Sequence, residues 1–247
     1  MFIPIGDSPN PRGVPWMTIA IVAVNVGIYV LFTLPLSMAR PDPNDPLLRE
    51  YLQAIAPSLP PNVPLRAIYA QTTAYDLFVF AHGFRPAAPQ ALDLLTAMFL
   101  HAGFLHLAGN MLYLWVYGNN VENRLGALGF LFWYLVTGAA ATLFFALLAG
   151  PSQVPLVGAS GAISGVLGFY FVLFPAHVVK VFLLLFPFYV GTILLNARFV
   201  LAVYLVIDNL LPFLFASAGS PVAHGAHIGG FIAGVLVAWL LPGRERS

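Results

Sequence analysis

The feature that most constrains this chain is a succession of apolar stretches, each close to the length of a membrane crossing. A helix spans a bilayer with roughly 20 mainly apolar residues. Six segments qualify: 16–38, 102–121, 126–149, 158–176, 196–215 and 224–241. Charged residues are only 8% of the 247 positions, against about a quarter in a soluble domain. The expected fold is an all-α membrane protein, a single domain over 1–247. It has six transmembrane helices and one long outer loop, 39–95, between the first two.

That loop is rich in proline and holds most of the acidic residues. Its apolar patches, such as YDLFVFAHGF, read as interfacial, so it is expected to be ordered and to lie on the membrane. The stretch VVKVFLLLFPFYVGTILLN (178–196) carries Lys180 near its start and Pro187 in its middle, and reads as either a re-entrant segment or a seventh span. The N-terminal MFIPIGDSPNPRGVP lacks the marks of a signal peptide, so the first span is read as a retained helix. A net charge of +1 without a basic run excludes a nucleic-acid footprint. With no cysteine there is no disulfide, thiolate nucleophile or Cys-ligated metal.

Orientation follows from Lys and Arg in the short connections. Arg12, Arg124, Lys180, Arg198, Arg244 and Arg246 mark one side, while 150–157 and 216–223 carry none. Both termini are therefore expected in the cytoplasm, with the 39–95 loop outside. A seventh span would export Arg244 and Arg246, so the charges favour six.

With this topology spans two, four and six begin in the same leaflet, and the suspicious polar residues lie near those ends. His106 and Asn110 are one turn apart on one face of span two. Ser160 opens span four and His227 begins span six. Buried polar groups in a bilayer face the bundle interior or a watery cavity. Gly161 and Gly165 on span four, with Gly230 and Gly234 on span six, form small-xxx-small patterns that let two helices approach closely. That approach would bring Ser160 within reach of His227. A Ser hydroxyl needs a base to become a nucleophile, and His suits that task near neutral pH. Asn110, His106 and the Ser160 N–H are candidate donors to an oxyanion. No acidic residue sits at this level on the three spans, so the arrangement is a dyad.

These residues resemble the rhomboid family of intramembrane serine proteases. HAGFLHLAGNMLYLWVYGNNVENRLG (101–126) carries the HxxxN and VExRxG elements, GASG (158–161) matches GxSG, and AHIGGFIAG (226–234) matches AHxGGxxxG. The resemblance implies a six-helix rhomboid-like bundle around a water-filled cavity, and a serine endopeptidase acting on membrane-anchored proteins near the outer face. It makes Ser160 the nucleophile, His227 the general base, and His106 with Asn110 the oxyanion donors. Glu122 and Arg124 become structural residues of the loop after span two. The implied partners are transmembrane protein substrates and the lipid bilayer, with no nucleic acid, no metal and no cofactor. The implied location is a bacterial cytoplasmic membrane.

Two departures stand out. Several members carry an aromatic ring one turn after the nucleophile, stacked on the catalytic His; here that place is Ser164. The long loop also lacks the Trp-Arg pair of some bacterial members. His101 is read as ordering the loop, and His224 as a substrate contact or a cap on the last helix. Asp208, followed by Asn209, is read as facing the cavity; orienting His227 is the alternative. His82 and His177 receive no role. The rival classes are an inactive relative that binds membrane proteins, and a transporter. The transporter would need ionisable residues along a path, whereas here they cluster in the outer half.

Overall fold

The computed structural model describes residues 2–58, 64–215 and 224–241. The 216–223 connection, Arg244 and Arg246 lie outside the described residues. The chain runs from a strand β1 (Phe2–Ser8) into a helix α1 (Trp16–Met38). The long connection then folds into α2 (Pro46–Ile55), α3 (Leu65–Gln71), α4 (Ala74–His82) and α5 (Asp93–Phe99). Next come α6 (Phe104–Leu125), α7 (Ala127–Ala149) and α8 (Ser160–Leu173). A hairpin of β2 (Val178–Leu185) and β3 (Tyr189–Asn196) leads to α9 (Ala197–Phe215) and α10 (His224–Leu240).

Among the described residues, α1, α7 and α9 are long and apolar enough to cross a bilayer, and α5 with α6, bent by 97°, makes a fourth crossing if taken together. α8 and α10 are apolar but shorter. The α8 residues Gly161–Tyr170 are all buried, as expected of a helix that is apolar all round and surrounded by others. Outward-facing side chains such as Leu31, Phe132, Leu147 and Trp239 stay exposed, as suits a surface that faces lipid.

α8 is gripped by α7 and α10 through missing side chains. A Cβ on Gly230 would overlap the carbonyl oxygen of Gly161, and one on Gly234 the carbonyl oxygen of Gly165. The other side of α8 meets α7, where a Cβ on Gly161 would lie 2.8 Å from the Ala141 Cβ. The glycine pattern thus sets the α8–α10 distance, as the sequence predicts.

Two expectations are corrected here. The chain is not all-α, because β1, β2 and β3 form an antiparallel three-stranded sheet in that order. The 178–196 stretch is accordingly neither a re-entrant segment nor a seventh span but a hairpin that turns at Phe186–Phe188. β2 buries Val179 and Val181 completely in the core, and β-branched side chains suit such a pleated, half-buried surface. The second correction concerns Glu122 and Arg124, which lie in the last turns of α6 rather than in the loop after it. The buried Glu122 carboxylate accepts from the backbone N–H of Met17 at 2.8 Å and of Thr18 at 2.7 Å, and from the Thr18 hydroxyl. It caps α1, whose preceding residue Pro15 offers no side-chain cap.

The described part of the long connection, 39–58 and 64–95, reaches the segment that precedes α8. Phe84 pairs with Leu156 through two backbone hydrogen bonds, and the Ala87 N–H donates to the Ser152 carbonyl. Arg85 lies 3.9 Å from the Phe80 ring centre and 3.3 Å from the Glu50 carboxylate. Phe84 and Ala87 thereby tie the end of the long connection to the 150–157 connection.

Candidate active site

The starts of α6, α8 and α10 and the wide middle of α9 surround one cavity of about 880 Å³. Ser160, His227, His106 and Asn110 all line it, so the sequence pattern that placed them at one level also brings them together. The Ser160 Oγ lies 2.7 Å from the His227 Nε2, a hydrogen bond across 67 residues of chain. The roof is the 154–157 segment, held down by the long connection.

Ser160 opens α8 two residues after Gly158, which has φ +123° and whose N–H donates to the Ala97 carbonyl at 2.8 Å. Only glycine adopts that backbone readily. The point a Cβ would occupy on Gly158 is 2.8 Å from the His106 Nε2 and 3.6 Å from the Ser160 Oγ. The empty space beside this glycine therefore lies between the hydroxyl and the second imidazole. The Ala102 N–H approaches the His106 Nδ1 at 3.4 Å, which favours the neutral tautomer with its hydrogen on Nε2, toward that space. Asn110 donates one side-chain hydrogen to the His106 carbonyl at 3.0 Å. Its second Nδ2 hydrogen is left over for the cavity.

The remaining expectations divide. His101 is buried just before α6: its backbone carbonyl accepts from the Tyr75 hydroxyl at 2.8 Å, and its ring meets that of His106 edge-on. Asp208 lines the cavity, while the His227 Nδ1 is bonded by its neighbour Asn209. His224 opens α10, and its ring meets that of His227 edge-on. His177 bonds the Tyr170 hydroxyl at the far end of α8, away from the cavity. Among the described residues, no three His, Asp or Glu side chains gather as metal ligands would.

Asn209 and Tyr204 were not legible as site residues. The Asn209 Oδ1 lies 2.6 Å from the His227 Nδ1, and its Nδ2 donates to the Tyr204 carbonyl at 2.8 Å. The Tyr204 ring stacks on His227 with 6.5 Å between centroids, and its hydroxyl lies 2.7 Å from the Ser164 Oγ. Asn209 beside Asp208 in an apolar span was the available signal, but hydropathy does not say which of the two faces inward.

The family model for the Rhomboid domain matches residues 88–244. This chain is a member of the rhomboid family. It is 33% identical to Rhomboid protein 1, mitochondrial, of Saccharomyces cerevisiae, over 61% of this chain and 42% of that protein. It is 30% identical to the chloroplastic Rhomboid-like protein 11 of Arabidopsis thaliana, over 62% and 53% of the two chains. To the Rhomboid protease GluP of Bacillus subtilis it is 36% identical, over 59% and 25%. The matched part spans about half or less of the length of these relatives. A rhomboid domain with apolar spanning helices makes the chain a multi-pass membrane protein. Its relatives come from mitochondria, chloroplasts and a bacterium, so membership carries a membrane location and no particular membrane.

Proposed function

We propose that this rhomboid is an intramembrane serine endopeptidase with Ser160 as nucleophile and His227 as general base, cutting membrane-anchored proteins near the outer face of the bilayer. The observation that carries this reading is the 2.7 Å hydrogen bond between the Ser160 Oγ and the His227 Nε2 inside a cavity large enough for a peptide segment. In this reading α1, α6, α7, α8, α9 and α10 are six spans of one domain. α8 has 14 residues, about 21 Å at 1.5 Å per residue, short of a hydrocarbon core about 30 Å thick. Its Ser160 end would then lie below the outer surface.

The chemistry follows from the geometry. The Ser160 oxygen attacks the scissile carbonyl carbon while its proton passes to the His227 Nε2. Carbonyl π electrons move to oxygen, and that oxyanion is met by His106, Asn110 and the Ser160 N–H near a helix N-terminus. Collapse breaks the C–N bond, and the His227 proton goes to the leaving amine. Water then adds to the acyl group, giving its proton to His227, and collapse restores the Ser160 hydroxyl with release of a carboxylic acid.

The test is cleavage of a single-span substrate in liposomes by purified protein. Ser160→Ala and His227→Ala should each lower turnover by roughly 10⁴-fold or more, and the double variant should be little worse, since residues acting as a unit are not additive. A fluorophosphonate probe should label Ser160 in the wild type. Turnover at the wild-type rate in either single variant would remove the assignment; an intact protein that neither labels nor cleaves would be a binder of membrane proteins.

A further inference from the structure

We infer that Asn209 is the positioning residue for His227, fixing its tautomer from a wide turn of α9; this rests on the protease reading above. The Tyr204 carbonyl can only accept, so the Asn209 atom 2.8 Å from it is the NH₂ end. The atom 2.6 Å from the His227 Nδ1 is then the amide oxygen, which also only accepts. In the neutral ring the hydrogen must therefore sit on Nδ1. The lone pair is left on Nε2, facing the Ser160 hydroxyl at 2.7 Å. This is the state a general base requires.

The same donor and acceptor roles close a ring of five residues. The Ser164 hydroxyl has one hydrogen and gives it to the Ser160 carbonyl at 2.8 Å. The Tyr204 hydroxyl, 2.7 Å from the Ser164 Oγ, is then the donor to it. The chain of bonds runs from the Ser160 side chain through His227, Asn209, Tyr204 and Ser164 back to the Ser160 backbone. It crosses α8, α9 and α10. Asn209 and Ser164 are buried, 1% and 0% exposed, so water does not compete for these bonds. The small Ser164 leaves room for the Tyr204 ring, which reaches His227 from α9 instead of from α8. Both Asn209 functions depend on local winding: residues Val206–Leu210 form a π turn, in which the Leu211 N–H bonds the carbonyl five residues back at Val206. Such insertions are found mostly as single turns, often at functional sites.

The experiment has two arms. In ¹⁵N-histidine NMR of the substrate-free protein, the signal missing from His227→Gln should show a protonated Nδ1 and a bare Nε2; in Asn209→Leu it should move toward a tautomer mixture. In kinetics, Asn209→Leu should lower kcat roughly 10- to 100-fold, the scale of losing a hydrogen-bond partner behind a functional His, with KM little changed. Asn209→Asp, which keeps the accepting oxygen, should stand closer to wild type than Leu. A purely structural role predicts the reverse order, because Asp sets an oxygen against the Tyr204 carbonyl while Leu fills the same volume. The inference is overturned by a wild-type His227 carrying its hydrogen on Nε2, by Leu matching wild-type kcat, or by Leu outperforming Asp. Wild-type turnover in Ser160→Ala or His227→Ala would instead sink the protease reading and leave the tautomer result standing by itself.

Discussion

Gly158 carries a requirement that no other residue meets. Its φ of +123° disfavours any side chain, and a Cβ would stand 2.8 Å from two atoms of the His106 ring. Gly158→Ala must therefore strain the backbone, push the imidazole aside and fill the space next to the Ser160 Oγ. Removing one oxyanion donor costs roughly 10² to 10³ in rate, so kcat should fall by at least that much, with a modest loss of thermal stability. Turnover near wild type would mean that the space beside Gly158 is not where the oxyanion forms. At this scale much of the site was legible. Ser160, His227, His106 and Asn110 are polar residues at telling spacings in apolar surroundings. Asn209 was not, because its role depends on a helix register that side-chain chemistry alone does not encode.

Helix register is set by proline in two places. α1 contains a π turn at Tyr29–Thr33 followed by Leu34 and Pro35, and α9 contains one at Val206–Leu210 followed by Leu211 and Pro212. A proline within a helix has no N–H to give and its ring collides with the carbonyl four residues back, here Leu31 and Asp208. Widening the preceding turn relieves that collision. Pro212→Ala should let α9 rewind as a regular helix and turn Asn209 away from His227. The expected result is a kcat loss like that of Asn209→Leu with thermal stability unchanged or raised, since a backbone hydrogen bond is regained. Unchanged kcat would separate the wide turn from the site. Element boundaries were readable where hydropathy changes, as at α1 and α7. The 178–196 hairpin was not, because an apolar run reads alike as strand, span or re-entrant segment. The strand β1, which adds a third strand to that hairpin, lies in a stretch read for charge and the lack of a signal peptide, with no strand expected there.

Across the whole molecule the cavity and the sheet occupy opposite ends of α8, whose Ser160 end meets the long connection and whose Leu173 end leads into β2. The sheet end is fastened by Asp7 of β1. The Asp7 Oδ2 accepts from the Tyr170 hydroxyl of α8 at 2.6 Å and from the Asn120 Nδ2 of α6 at 2.7 Å. One strand thereby ties together the two helices that carry Ser160 and His106. Burial pushes the Asp7 carboxyl above its usual 3.8, against the opposing pull of the hydrogen bonds from Tyr170 and Asn120 and of the nearby His177. A carboxyl raised on folding contributes stability that is full below 3.8 and is lost as pH rises through the folded-state value. Asp7→Asn keeps an accepting oxygen and cannot ionise, so it should gain on the wild type over that rise and hold a constant lead at higher pH. Asp7→Ala removes the acceptor and should melt lower than Asp7→Asn at every pH. Thermal unfolding in detergent from mildly acidic to neutral pH reads both curves. A difference between Asp7→Asn and wild type that does not change with pH would show that the hydrogen bonds and His177 offset burial in full and leave the Asp7 carboxyl at its ordinary value.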